Sequence, residues 1–288
     1  MNNIIVKCLG GLGNQMFQYA FYRRLQLENK NVFLDISGFK DYSLHYGFEL
    51  NRVFKLNVDE PDCSLVDEIK KYSMSRGLWY RICRKLKLYN QYITQKNFNY
   101  DPQYVSFTNN QTVYLDGYWQ SEKYFGVHSD TIRNDFKFPQ LDVQNKKYAD
   151  KIQLAKSVSI HIRMGDYVDH PIHGGICTID YYQRAIEFIR SKLDNPTFFV
   201  FSNDVEWCKQ NLNISDCIYI ADNVGENSYR DMQLMSLCKH NIIANSSFSW
   251  WGAWLNSNSD KIVIAPSKWF NDPTINTKDL LPNSWIQI

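Results

Sequence analysis

Apolar and polar positions alternate most regularly in the second half of the chain. VSIHIR (158–163) reads as a short apolar strand. TIDYYQRAIEFIRSKL (178–193) carries apolar residues at helical spacing, and TFFVFSND (197–204) is a buried strand ending in polar residues. VEWCKQNL (205–212) predicts a short helix, CIYIAD (217–222) a strand and SYRDMQLMSLCKHN (228–241) a helix. IIANSS (242–247) then predicts a strand, SWWGAWLN (249–256) a helix and KIVIAP (261–266) a strand. Alternation of this kind predicts a parallel sheet with helices on both faces.

The first half begins in the same way. IIVKC (4–8) is a strand, NQMFQYAFYRRLQLENK (14–30) a helix and NVFLD (31–35) a second strand. The pattern then loosens: residues 62–90 read as helical and TVYLDGYW (112–119) as a strand. The expectation is an α/β fold of two Rossmann-like domains, 1–150 and 151–288, with the polar stretch KFPQLDVQNKK (137–147) near their junction.

Composition narrows the function classes. A net charge of +2 does not suggest a nucleic-acid partner. No run of 18 apolar residues is present, and MNNIIVKC enters a strand at once without the basic start of a signal peptide. The seven cysteines form no C-x-x-C pair, which predicts reduced thiols and a cytoplasmic protein rather than a disulfide or zinc framework. Aromatic residues make up 15%, enough to supply stacking surfaces for sugars or bases as well as core.

One stretch, KKYSMSRGLWYRICRKLKLY (70–89), has seven basic residues and no acidic one, with Leu78, Trp79, Ile82, Cys83 and Leu86 on one helical face. Two readings stand: a core helix with a solvated basic face, and a basic amphipathic helix that makes peripheral contact with the inner face of a membrane.

In an open parallel sheet, ligands bind beyond the carboxyl ends of the strands. Those positions hold Arg163, Gly165 and Asp166 after one strand, and Ser202, Asn203 and Asp204 after the next. Asp222 follows the third, and Asn245, Ser246, Ser247 and Ser249 stand just before a helix. Serines at a helix N-terminus offer hydroxyls, exposed N–H groups and the positive end of the dipole, which together suit a phosphate. Ser is also a common helix cap. A neighbouring arginine, Arg163, would grip such a phosphate with a forked pair of hydrogen bonds. His161 lies two residues before it, on the same face of the strand. Asp166 is either a general base or a residue that orients the turn.

No D-x-D and no P-loop occur in the chain. An arginine and a helix N-terminus can neutralise a departing diphosphate in place of a metal, so the expectation is group transfer from a nucleotide diphosphate with no metal and no other cofactor. After the first strand, LGGLGNQMFQYA (9–20) approaches the dinucleotide fingerprint through Gly11 and Gly13, but Met16 stands where the third glycine belongs. Asp35 imitates the ribose-binding acid. A glycine turn presenting Asn14 and Gln15 suits a hydroxyl-rich ligand equally well.

These motifs together resemble family 11 of the glycosyltransferases, the α-1,2-fucosyltransferases that use GDP-fucose. GGLGNQMFQYA (10–20), HIRMGDYV (161–168), FSND (201–204) and ANSSFSWWGAWL (244–255) are similar to the family's motifs in order. DGYWQSEKYF (116–125) and CTIDYYQRAI (177–186) add to the likeness, which runs nearly end to end. The resemblance implies a GT-B-like fold of two facing Rossmann-like domains, the N-terminal one leaning to the acceptor and the C-terminal one binding GDP-fucose. It implies inverting, metal-independent transfer of L-fucose to the 2-hydroxyl of a terminal β-galactoside, in surface-glycan synthesis.

By the same resemblance, Arg163 would bind the β-phosphate, Asn203 and Asp204 would sit near the guanosine, and Ser202 and Asn245 would belong to the same donor site. Ser246, Ser247 and Ser249 would hold the diphosphate, while Gly11, Gly13, Asn14 and Gln15 would line the cleft on the acceptor side. Asp166 and His161 are the candidates for the proton acceptor. The acceptor would be a β-galactoside-terminated glycan, lipid-linked if the basic stretch meets a membrane. One departure is Met164, where the family pattern often has a second arginine. Competing readings are another nucleotide-sugar transferase, a non-catalytic GDP- or carbohydrate-binding protein, and a nicotinamide-dependent dehydrogenase.

Overall fold

The computed structural model describes residues 3–28, 31–74, 91–106, 112–163, 171–172, 174–212 and 214–288. Two compact units emerge: Met1–Lys137 with Asn276–Leu280, and Phe138–Ile275 with Leu281–Ile288. The division falls ahead of the expected 150/151. The physical reason is the helix Val143–Leu154, which begins within the polar stretch and carries Ile152 into the second unit's core beside Phe199 and Phe201.

The first unit is a four-stranded, all-parallel sheet. Its strands are β1 (Ile4–Lys7), β2 (Val32–Asp35), β3 (Gln91–Thr94) and β4 (Val113–Asp116), in the order β2-β1-β4-β3. Helix α1 (Leu12–Glu28) follows β1, then α2 (Glu49–Phe54) and α3 (Cys63–Met74). Ile5 and Tyr114 pack against Val66 and Ile69 of α3, so a hydrophobic helix face covers the sheet as the apolar pattern requires. β3 escapes the sequence reading. It is an edge strand of four half-buried or exposed residues, with no apolar run to mark it.

The second unit is a six-stranded parallel sheet. It comprises β5 (Ser157–Ile162), β6 (Thr197–Ser202), β7 (Cys217–Ile220), β8 (His240–Ile242), β9 (Val263–Ala265) and β10 (Ile286–Gln287), in the order β10-β9-β8-β5-β6-β7. The helices are α4 (Ser129–Asp135) at the end of the first unit, then α5 (Val143–Leu154), α6 (Ile179–Lys192), α7 (Val205–Asn211), α8 (Tyr229–Leu237) and α9 (Ser247–Leu255). Strand alternation sorts side chains between the two faces. Val158, Ile160, Ile162, Phe198 and Val200 join Tyr181, Tyr182, Ala185 and Ile189 of α6 on one face. Phe199 and Phe201 join Ile152, Leu234 and Met235 of α5 and α8 on the other. Both faces are covered, as in doubly wound parallel sheets.

The strand expected at 242–247 is shorter and earlier. β8 ends at Ile242, because the Ser246 N–H turns back to the Ala244 carbonyl at 2.8 Å and Ser246 then caps α9. The basic stretch 70–89 overlaps the end of α3, and its residues 75–89 lie outside the described residues. No helix among the described residues is long and apolar enough to cross a membrane.

Candidate active site

In the second sheet the strand order reverses between β5 and β8: β6 and β7 lie to one side of β5, and β8 to β10 to the other. A switch point of this kind opens a crevice at the carboxyl ends of the two strands. Arg163 follows β5 there, and Asn245–Ser249 follow β8. The imidazole of His161 lies 5.7 Å from the ring of Phe248, which ties the end of β5 to the first turn of α9. The Tyr182 hydroxyl donates to the His161 carbonyl at 3.0 Å and fixes the strand end from the α6 side. Asp166, with Met164 and Gly165, lies outside the described residues.

The serine-rich turn divides its labour. The Ser246 hydroxyl accepts from the Phe248 N–H at 3.3 Å and forms the helix cap. Ser249 is fully buried, and its hydroxyl donates to the Ser246 carbonyl at 3.3 Å. Ser249 therefore braces the turn from beneath, a correction to its expected place on the diphosphate. Asn245 is buried as well: its amide donates to the Trp269 carbonyl at 3.2 Å and its oxygen accepts from the Cys177 thiol at 3.5 Å. Ser247, half-buried, begins α9 at the positive end of its dipole.

His161 differs from expectation. Burial, and secondly the charge of Arg163, push its pKa down to about 3. The ring stays neutral at physiological pH, and a group with so acidic a conjugate acid is a poor general base. Its Nδ1 is buried and has no hydrogen-bond partner. On the neighbouring strand end, the Ser202 hydroxyl accepts from the Asp204 N–H at 3.0 Å, and Asp204 caps α7 by accepting from the Trp207 N–H at 2.9 Å. Asn203 and Asp204 are exposed.

Sequence reasoning missed Asp231, in the first turn of α8. Its carboxylate accepts from Asn223 at 2.8 Å, and Asn223 exchanges two amide hydrogen bonds of 2.9 Å with Asn145. Burial and the nearby Asp222, against the Asn223 hydrogen bond, raise its pKa to about 7. An acid in a first helical turn is too ordinary to stand out in a sequence. Only the buried amide pair beside it reveals the perturbation.

In the first sheet the order reverses between β1 and β4. Gly10 (φ +104°) and Gly11 turn the chain into α1. Gln15 is fully buried: its amide donates to the carbonyls of Gly10 and Gly47 at 2.8 Å each, and its oxygen accepts from the Glu49 N–H at 2.8 Å. That makes Gln15 a latch for the turn, not a residue displayed to a ligand as expected. Gly13 is also buried, inside α1. Asn14 is half-buried and accepts from Gln120 at 2.8 Å, joining the β1 turn to the loop after β4. Gln18 bridges the same two loops by donating to the Gly117 carbonyl at 3.1 Å.

Asp35 is committed elsewhere. It accepts from Tyr114 at 2.6 Å and from the Ser37 N–H at 3.0 Å, and it pairs with Lys70 at 3.2 Å. Burial pushes its pKa up, but the Ser37 and Tyr114 hydrogen bonds and Lys70 outweigh that and leave it below the usual value. With Met16 fully buried as well, the dinucleotide reading has no ribose-binding acid and no third glycine. Among the described residues no three His, Cys, Asp or Glu side chains gather as a metal-ion site.

Two Rossmann-like parallel sheets, one carrying an arginine and a serine-capped helix at its switch point, make up a GT-B-like α/β fold. The chain belongs to glycosyl transferase family 11, whose model matches residues 77–288. It is 38% identical to an alpha-1,2-colitosyltransferase of Escherichia coli, over 100% of this chain and 99% of the relative. It is 34% identical to the O-antigen biosynthesis glycosyltransferase WbnK of Escherichia coli, over 98% and 99%. A galactoside alpha-(1,2)-fucosyltransferase 1 of Plecturocebus brunneus is 26% identical over 89% of this chain and 66% of its own. The crystal structure of the alpha-1,6-fucosyltransferase NodZ soaked with GDP-fucose has the same fold. Its TM-score is 0.50 at 14% identity, over 88% of this chain and 92% of that one.

Proposed function

We propose that the protein transfers L-fucose from GDP-β-L-fucose to the 2-hydroxyl of a terminal β-galactoside, with inversion and without a metal. The observation that carries this reading is Arg163 and the N-terminus of α9 on the two strands flanking the switch point of the second sheet. The acceptor oxygen bonds to the sugar C1 while the bond from C1 to the β-phosphate oxygen breaks. GDP leaves with the electron pair, and Arg163, Ser246 and Ser247 stabilise its charge. The acceptor proton passes to Asp166, the carboxylate three residues beyond Arg163. Ser202, Asn203 and Asp204 contribute to the nucleoside end of the donor site.

The test is transfer from GDP-fucose to lactose in the presence of EDTA, followed by mass spectrometry and linkage analysis. An α-1,2-linked trisaccharide is expected, with Asp166→Asn slowing its formation. Loss of transfer in EDTA, restored by a divalent cation, would overturn metal independence.

A second reading is favoured by the 38% identity to an alpha-1,2-colitosyltransferase. Colitose is L-fucose without its 3-hydroxyl, so the two donors differ at one polar group. A site built to hydrogen-bond that hydroxyl discriminates strongly against the deoxy sugar, whereas an apolar site discriminates weakly. The ratio of kcat/KM for GDP-fucose and GDP-colitose decides between them.

The lipid-linked acceptor and the peripheral membrane contact through 70–89 belong to the same proposal. Co-sedimentation with vesicles of anionic phospholipid at moderate salt tests the membrane contact, and absence of binding would remove it.

A further inference from the structure

The four strands of the first sheet send their carboxyl-terminal loops to one edge, and those loops carry a group of aromatic rings that no part of the donor chemistry uses. Tyr118, two residues beyond β4, is 46% exposed, unusual for a large ring beside the fully buried Trp119. Phe98, from the loop after β3, stacks on it nearly parallel at 6.1 Å and 12°. Tyr42 and His45 come from the segment after β2, with ring centroids 6.1 Å apart. The His45 imidazole lies over the glycine turn after β1: a Cβ at Gly11 would stand 3.3 Å from it. Burial, and secondly the Tyr118 phenol, push the Tyr42 pKa up, which puts the two hydroxyls within electrostatic reach of each other.

The backbone is held to present these rings. Among the described residues, the non-glycine residues with positive φ are His45, Lys55, Trp119, Asn195 and Asp216. Lys55 caps α2, and Asn and Asp enter that region readily. His45 (φ +63°) and Trp119 (φ +55°) are the other two, and for a residue as bulky as Trp the conformation is an outlier. Such outliers cluster at ligand sites, where the surrounding structure over-determines them. The Gln95 side-chain oxygen accepts from the N–H groups of both Tyr118 and Trp119, at 2.9 and 3.0 Å, and enforces the turn. The other end of that amide, Nε2, is buried with no hydrogen-bond partner. Gly117 allows the close approach: a Cβ there would lie 2.6 Å from the Gln95 Cβ.

Exposed aromatic faces bordered by phenols, an imidazole and the Asn14–Gln120 amide pair suit a ligand with one apolar face and a polar edge. A pyranose ring has that shape: its axial C–H groups lie against an aromatic ring while its hydroxyls reach the surrounding amides. A nucleotide would bring charge, and among these residues only His45 could answer it. We propose that Tyr118, backed by Phe98 and flanked by Tyr42 and His45, is the platform on which the acceptor sugar stacks. The proposal rests on the glycosyl-transfer reading and names the residues that select the acceptor.

The test separates this platform from that reading. Saturation-transfer NMR of lactose is recorded on the wild-type protein, on Tyr118→Ala, on Tyr118→Phe and on Arg163→Ala, with GDP affinity measured for each by calorimetry. The galactose proton signals are expected to disappear in Tyr118→Ala and to persist in Tyr118→Phe and in Arg163→Ala. The KM for lactose should rise at least tenfold in Tyr118→Ala, with GDP affinity and the acceptor-independent release of GDP from GDP-fucose unchanged. The partial exposure of Tyr118 leaves the fold intact, which far-UV circular dichroism checks. Galactose signals that survive in Tyr118→Ala, or that are absent from the wild type, would overturn the platform. Failure of GDP to bind the wild type would instead overturn the donor assignment, while the NMR arm would still report on the platform.

Discussion

The ring of His161, next to last in β5, lies 5.7 Å from the ring of Phe248 in the first turn of α9. This contact joins the two segments that flank the switch point of the second sheet, and so it fixes where Arg163 stands relative to the serine cap. Arg163→Ala is expected to lower kcat by about 10²–10³, the cost of one lost charge-stabilising donor. Arg163→Lys should recover only part of it, because a lysine keeps the charge and loses the fork. Steady-state kinetics with saturating acceptor checks this, and near-wild-type turnover in the alanine variant would place the diphosphate elsewhere.

Asp231 makes a pH prediction with a definite sign. Its carboxyl titrates at about 7 in the folded protein against an ordinary value of 3.8. Because the folded state holds the proton more tightly, this group's stabilisation is complete below the unfolded value and drains away as pH rises to about 7. Asp231→Asn, which imitates the neutral acid, should remove that slope. Subtracting its melting temperature from that of the wild type between pH 4.5 and about 7.5 isolates the effect from other carboxylates. A difference that stays flat with pH would refute the assignment.

Gln15 tests whether the first glycine turn is held from within. Gln15→Leu keeps the volume but leaves the Glu49 N–H and the Gly10 carbonyl without their partners. A buried polar group stripped of its partner costs about 1–3 kcal/mol, so urea denaturation should show a loss of at least about 2 kcal/mol. A loss under about 0.5 kcal/mol, the range of a neutral surface change, would mean that water replaces the amide.

Gly117→Ala should disturb the turn that carries Tyr118. The new methyl would sit 2.6 Å from the Gln95 Cβ and 2.9 Å from the Trp119 ring. Gly126, with nothing within 4 Å of a Cβ, is the control: Gly126→Ala should stay within about 0.5 kcal/mol of wild type. Equal melting temperatures for the two variants would show that the Gln95 latch yields.

Much of the fold is legible in the order of residues. TFFVFS is apolar on both faces, VSIHIR on one, and the alternation of such strands with helices predicts a sheet covered on both sides, as α6 on one face and α5 and α8 on the other confirm. The residues after each strand, Arg163 and NSSFS among them, were identifiable because a parallel sheet sends its carboxyl-terminal loops to one edge. The family motifs, being local, were readable in the same way.

What the chain order could not determine is direction and burial. Gln15, Asn245 and Ser249 read as ligand-facing polar groups, yet each is buried and bonded to backbone, since buried carbonyls and N–H groups need partners wherever the tertiary fold leaves them. His161 read as a base, and burial beside Arg163 leaves it neutral and weak. Asp231 and the outward ring of Tyr118 were invisible in sequence, because a shifted pKa and an exposed aromatic face arise from neighbours distant in the chain. The sequence determined which chemical groups stand at the strand ends. The packing around them decided which are free to act and which hold the structure together.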